Sequence, residues 1–454
     1  MRAARHLLAA LAAVTSLGPV ASSQPAPPLA SRPLLNAPAP APSRVFDRQA
    51  ASSEAQPEPG SELTVLLMTV GAGDEVWERF GHNAIWISDR RRGLDVAYNW
   101  GMFDFNQPHF LTRFLTGDTR YWMEGFDARA MVEHYARDEN RSVWVQELNL
   151  TPAQRLALLQ YIEWFSREEN KYYRYDYYLD NCSTRVRDAL DRVLGGAIRR
   201  ATASRPTGTT YRWHTRRLTE GDPAVYTGIQ LALGRPADRE ISAWEESFLP
   251  VRLMRYVRDV RVPGPGGTSA PLVLSERQLY AATRPPEPER PVSHVLAYLL
   301  GGLALGASLA VLGRAAGAGR RGAAAGFGVV AGVWTLVAGL AGTALLLAGT
   351  VTRHVFMGRN LNLGAASPLV LILLGLVIAA VGARRRATRA RWATRAERLA
   401  MLVLALCVIA WLVALGVSQH SGEIFAFALP AHLGTWWGLR RLADERLPWP
   451  TPAE

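Results

Sequence analysis

Cysteine is almost absent: the 454 residues hold two, Cys182 and Cys407. Lying in regions of opposite character, they argue against a disulfide, and two thiols are too few for a thiolate zinc site or an iron–sulfur cluster. No cysteine stands directly after the N-terminal signal, so the chain is not expected to be an N-terminally lipidated lipoprotein itself. Residues before about 290 carry most of the acidic and aromatic residues, and after that point long apolar runs separated by arginines take over. No nucleic-acid motif accompanies the net charge of +12. Arginines between apolar runs are topology signals that face anionic headgroups, so a nucleic-acid partner is not expected. Nothing in the chain calls for a metal or another cofactor.

What is there divides cleanly. Met1 to Arg5 carries two arginines, Leu7 to Leu17 is apolar, and Ala21-Ser22-Ser23 offers small residues for cleavage, which together read as an export signal over 1–23. The signal is either cleaved or kept as an anchor, and its short apolar core favours cleavage. Residues 24–60 are rich in Pro, Ala and Ser and read as a tether. A compact α+β domain is expected over 61–262. Its strands are Leu63 to Val70, Phe80 to Ile87, Asp95 to Trp100 and Val143 to Leu148; Thr151 caps a helix carrying Leu156, Leu159, Ile162 and Phe165. Short helices are expected from Trp213 to Leu218 and from Trp244 to Val257. Residues 263–292 read as a second linker and 293–441 as a membrane domain of about five spans, followed by a cytoplasmic tail over 442–454. The spans are expected at Val295 to Gly313, Phe327 to Gly349, Leu361 to Ala383, Leu399 to Val417 and Gly422 to Leu439; arginines after the first, third and fifth put those loops in the cytoplasm and the loops around His354 and His420 outside. The folded domain is thereby expected on the periplasmic face of a bacterial inner membrane.

The run Asp180-Asn181-Cys182-Ser183-Thr184-Arg185-Val186-Arg187-Asp188 carries the exported thiol. Asp180 or Asn181 can cap a helix whose buried face is Val186, Leu190, Val193 and Leu194. Cys182 then sits at a helix N-terminus, where free amides and the helix dipole can lower a thiol pKa from roughly 8.5 to between ~3.5 and ~7.5. A lone cysteine is also commonly a small buried hydrophobe. Cys407, set in Leu402 to Ile409 with no charge nearby, is the inert comparison.

A cysteine nucleophile needs a base and a group that orients it. His82 opens a predicted strand, and if that strand pairs with the next about Asp89 to Gly93, Asn99 falls opposite or next to it. Histidine before cysteine reverses the papain order and suggests a circularly permuted papain-like (NlpC-type) arrangement. A satisfied structural histidine is the plainer alternative. Tyr173, Tyr175 and Tyr177, at alternate positions, read as a packed aromatic face.

Phe80-Gly81-His82-Asn83-Ala84, Tyr98 to Phe105, the block Asp180 to Asp188, Phe248-Leu249-Pro250 and the multi-span tail together resemble the bacterial lipoprotein N-acyltransferases of the Lnb family. The loop His354 to Asn362 resembles their membrane-domain signature. The resemblance covers nearly everything after the first tether and implies a permuted thiol-transferase domain on a membrane domain. It also implies acyl transfer from a phospholipid through a Cys182 thioester to the α-amine of a lipoprotein's N-terminal cysteine. His82 would be base and then acid, Asn99 its orienter, and amides at the Cys182 helix terminus the oxyanion donors. Arg185, Arg187 and His354 are candidates for substrate binding, against plainer readings as solvated helix arginines and a membrane-surface histidine.

Two other classes compete. A periplasmic cysteine hydrolase, an amidase or peptidase, needs only water in place of the amine, although such an enzyme has little need of five spans. A non-catalytic membrane scaffold would make the His82 and Cys182 pairing fortuitous. Chain preference, donor position and oligomeric state are not legible.

Overall fold

The computed structural model describes residues 58–264 and 267–444. The export signal, nearly all of the first tether and nearly all of the tail lie outside the described residues. Strand β1 (Leu63–Val70) is an almost unbroken apolar run buried on both faces, the pattern of a strand inside a sheet. Because side chains alternate, Leu63, Val65 and Leu67 enter the larger core while Leu66, Met68 and Val70 enter a smaller one behind the sheet. Strands β2 (His82–Asp89) and β3 (Leu94–Met102) pair as the expected hairpin. Its turn is held by Asp89 Oδ1, which accepts the amides of Arg91 and Arg92 at 2.9 and 3.1 Å, and by Gly93 at φ 64°.

Further strands are β4 (Tyr121–Asp127), β5 (Val143–Leu148), β6 (Tyr172–Tyr173) and β7 (Val273–Tyr280), giving the antiparallel order β7-β5-β1-β2-β3-β4-β6. The stretch 263–292, read from composition as a linker, therefore supplies an edge strand. β7 is half polar and mostly exposed, so its hydrogen bonds to β5, rather than an apolar pattern, make it a strand.

Helix α1 (Phe110–Thr116) follows the hairpin. In α2 (Pro152–Phe165), Thr151 and Gln154 form a capping box, and Leu158, Ile162 and Phe165 are buried. Helix α3 (Cys182–Val193) buries Val186, Ala189 and Leu190 in the larger core. An accessory region contains α4 (Tyr211–Thr219) and α5 (Pro223–Ala232). The helix expected from Trp244 to Val257 is two: Ala243–Glu246 and α6 (Pro250–Asp259), broken because a helix cannot run smoothly through Pro250.

The apolar tail forms α7 (Val295–Gly317), α8 (Arg321–Thr350), α9 (Leu369–Gly382), α10 (Arg386–Gly416) and α11 (Gly422–Ala443). Three of these, α7, α8 and α10, are long and apolar enough to cross a membrane. The stretch expected to span from Leu361 instead makes a short turn, Leu361–Leu363, and starts a helix of 14 residues only after Pro368. Helices α7 and α11 meet through glycine: a Cβ at Gly306 would stand 2.9 Å from the Pro430 carbonyl carbon, and one at Gly313 2.7 Å from the Gly438 oxygen.

The folded domain sits on the ends of these helices. Arg216 Nη2 and Tyr226 Oη donate to Glu423 at 2.8 and 2.7 Å. The Gly234 amide donates to the Phe356 carbonyl at 2.7 Å. Asn360 and Asn362 donate to carbonyls of α5 at 2.9 to 3.1 Å.

Nearby, a fully buried His214 donates through Nε2 to Glu246 at 2.8 Å and accepts Arg217 Nε at 3.0 Å on Nδ1, which fixes it as neutral. Burial first, then the Arg217 charge, pushes it down to about 4 against the pull of Glu246. Burial opposes ionisation of Glu246, but its hydrogen bonds to His214 and Tyr256 prevail and bring it to about 2. Both folded values lie below the ordinary 6.5 and 4.5, so both groups stabilise the fold at neutral pH and lose that contribution on acidification. The melting temperature of the detergent-solubilised protein is expected to fall from pH 6.5 to 4 and further toward pH 2. His214→Asn should flatten the upper part of that curve; a wild-type curve level between pH 6.5 and 4 would contradict the assignment.

Candidate functional site

The capping residue at the Cys182 turn is Asn181. Its Oδ1 accepts the amides of Ser183 and Thr184 at 3.0 and 2.9 Å, and Thr184 Oγ1 accepts the Asn181 amide at 2.8 Å. The Asn181 side-chain amide donates to the carbonyls of Tyr177 and Phe248 at 3.1 and 2.9 Å. The Phe248-Leu249-Pro250 run thus braces the cysteine turn from 67 residues away in sequence. With the Ser183 and Thr184 amides taken by the cap, the Cys182 N–H has no hydrogen-bond partner among the described residues.

Histidine and asparagine come from the hairpin. Asn99 pairs with Ala84 in the register, which puts it on the same face as His82, and His82 Nε2 donates to Asn99 Oδ1 at 2.8 Å. Asn99 is itself fixed, its side-chain amide donating to the Ala97 carbonyl at 2.9 Å. The other imidazole nitrogen is left for Cys182, the group whose charge does most to favour protonation of the ring. Burial alone would push the Cys182 thiol up. The His82 charge and hydrogen bond, with the amides of Asn83 and Ser183, reverse this and leave it below the ordinary thiol value. Burial likewise disfavours imidazolium at His82, but the charge and hydrogen bond of Cys182 and the bond to Asn99 leave it above the ordinary value. Both shifts act in the direction of thiolate beside imidazolium.

Several contributors carry no chemical signal in the sequence. Gly101, at φ 94°, sits in a bulge of β3, and a Cβ there would stand 3.5 Å from Cys182 Cβ and 3.6 Å from the Tyr175 ring. A glycine inside a strand pattern is the signal that could have found it. Asn83 faces the other side of β2 from His82; Ser183 Oγ lies 2.8 Å from its Oδ1, pinning the cysteine helix to the histidine strand. The His82 and Tyr135 ring centroids are 6.3 Å apart.

The alternate tyrosines have separate roles: Tyr173 packs on the larger core, Tyr175 stacks on Tyr121 at 4.3 Å, and Tyr177 stacks on His354 at 6.4 Å. His354 Nε2 donates to the Phe114 carbonyl at 3.0 Å, in the loop's contact with α1. Arg185 is paired with Asp180 and lies over the Tyr173 ring at 4.3 Å. Arg187 is buried, donates to the Trp244 carbonyl at 2.6 Å and to Asp188 at 2.8 Å, and stacks on Trp244 at 3.8 Å. Both guanidinium groups already have partners within the chain. Cys407 is buried in an apolar cluster of the helical domain.

Residues 57–217 match the family model of the Lnb N-terminal periplasmic domain. That segment contains the hairpin, the cysteine turn and the helix behind it. No curated protein and no solved structure matches the chain.

Proposed function

We propose that this chain, whose residues 57–217 form an Lnb N-terminal periplasmic domain, is a membrane-bound cysteine acyltransferase. It moves a fatty acyl chain from a phospholipid to the α-amine of a lipoprotein's N-terminal cysteine. The observation that carries this reading is the meeting of Cys182, at a capped helix terminus, with a His82 held by Asn99, on a domain seated against apolar helices. The cysteine helix packed on the histidine strand supports a permuted papain-like core, and the apolar helices support a membrane domain after it.

The Cys182 thiolate attacks the ester carbonyl. A C–S bond forms, the C–O bond to the glycerol breaks, and the departing alkoxide takes its proton from the His82 imidazolium. The acceptor amine then attacks the thioester: a C–N bond forms, the C–S bond breaks, His82 takes the amine proton, and the thiolate is restored. The Cys182 N–H, left open by the cap, is the oxyanion donor in both steps. Because the thiolate is the reactive form, the acid limb of the rate profile should lie below the ordinary thiol range. The basic limb, where His82 loses its proton, should lie above the ordinary imidazole range.

Intact-protein mass spectrometry of the chain incubated with phospholipid and no acceptor is expected to show one added acyl mass, mapped to Cys182 and released by hydroxylamine. An unmodified Cys182 under these conditions would remove the thioester route. An adduct discharged to water as fast as to an acceptor amine would favour the hydrolase reading.

A further inference from the structure

Where the folded domain meets the helices, the 355–363 segment lies between the outer ends of α8 and α10 and leaves a cavity of about 340 Å³. That volume is within the range of small-molecule sites, roughly 300–1,000 Å³. Its walls include Leu345 and Leu346 of α8 and Val413 of α10, with Val417 just beyond α10. Leu346 and Val413 are also exposed on the outside of the bundle, so the apolar wall continues onto the surface that would face lipid.

Two arginines are among the remaining lining residues, Arg235 from the accessory region and Arg359 from the loop before α9. They are joined through the backbone, the Arg235 amide donating to the Arg359 carbonyl at 3.4 Å. Unlike Arg185 and Arg187, neither guanidinium has an acidic, carbonyl or ring partner among the described residues, and both are exposed. Arg359 also holds a left-handed conformation, φ 50°, where glycine would be less strained. The close approach that brings the two together requires Gly234, since a Cβ there would stand 3.2 Å from the Asn360 Cα.

We infer that this cavity is a phospholipid site, with Arg235 and Arg359 holding the phosphate and the apolar wall taking an acyl chain. Two unpaired guanidiniums beside an apolar wall suit a phosphodiester with a hydrocarbon tail, because arginine pairs with phosphate oxygens through paired N–H donors. The same charge repels a free amine, so the site suits the acyl donor and not the acceptor. Calling the occupant the donor rests on the proposed acyl transfer; the binding itself does not.

The test is native mass spectrometry of the full-length protein in detergent, titrated with phosphatidylglycerol and, separately, with dioleoylglycerol, which lacks the phosphate. Wild type should retain the phospholipid and release the diacylglycerol. Arg235→Gln/Arg359→Gln should lower phospholipid retention about tenfold or more, with the melting temperature unchanged because neither guanidinium has an internal partner. Val413→Trp, which fills the apolar wall, should lower it independently. Equal retention of both lipids, or retention unaffected in both variants, would mean an annular lipid only and overturn the site. Repeating the titration with Cys182→Ala separates the two readings. Retention that depends on the arginines without any acyl adduct in wild type overturns the transferase alone. An adduct in wild type with retention indifferent to the arginines overturns the lipid site alone.

Discussion

Replacing Cys182 with alanine is expected to abolish acyl transfer, a fall of about 10⁶-fold, the order seen when a covalent nucleophile is removed. Cys407→Ala should leave the rate unchanged, since that thiol lies in an apolar cluster. The comparison is clean because the Cys182 side chain is small and the cap around it belongs to other residues: Asn181, Thr184 and the Phe248 carbonyl remain in place. The variant should therefore insert and melt like wild type, with stability changed by about 1 kcal/mol or less. The measurement is transfer of a radiolabelled acyl chain to a lipopeptide by purified protein. Full activity in Cys182→Ala would exclude a thioester intermediate whatever the geometry around it.

Loss of His82 should be the next most severe change. Without the imidazole, the thiol loses both the charge and the hydrogen bond that overcome its burial. Proton transfer to the leaving alkoxide is lost as well, and general acid–base assistance is typically worth ~10²- to 10⁴-fold. His82→Ala is expected to lie in that range or beyond, and to remove the low-pH onset of thiol alkylation by iodoacetamide. Asn99→Ala should be milder, because Asn99 positions the ring without touching the reacting atoms. Its rate should fall while the alkylation profile of Cys182 moves up in pH, and Asn99→Gln, which keeps the acceptor oxygen, should recover part of the loss. An unchanged alkylation profile in Asn99→Ala would mean that the 2.8 Å bond holds the sheet and not the site.

Sequence by itself determined the pieces whose causes are local. The cap and helix at Cys182 follow from an asparagine before an amphipathic run, and strand β1 from an unbroken apolar stretch of strand length. The Asp-to-Gly turn and the two-residue period narrowed the partner of His82 to Asn99 or Tyr98, and the observed register, with Ala84 opposite Asn99, selects Asn99. Only the tertiary structure decided what depends on partners far along the chain. Strand β7 is mostly exposed and lies within the Pro- and Gly-rich stretch 263–292, and it becomes a strand because β5 offers a free edge more than 120 residues earlier. Arg187 looks like a free cation beside the cysteine, yet beyond the adjacent Asp188 its guanidinium is held by the carbonyl and ring of Trp244, 57 residues later. Conversely, Arg235 and Arg359 are unremarkable in sequence and become neighbours because Gly234 lets two loops from different domains touch. Side-chain charge can be read from a sequence; whether a fold neutralises it depends on contacts that no local pattern encodes.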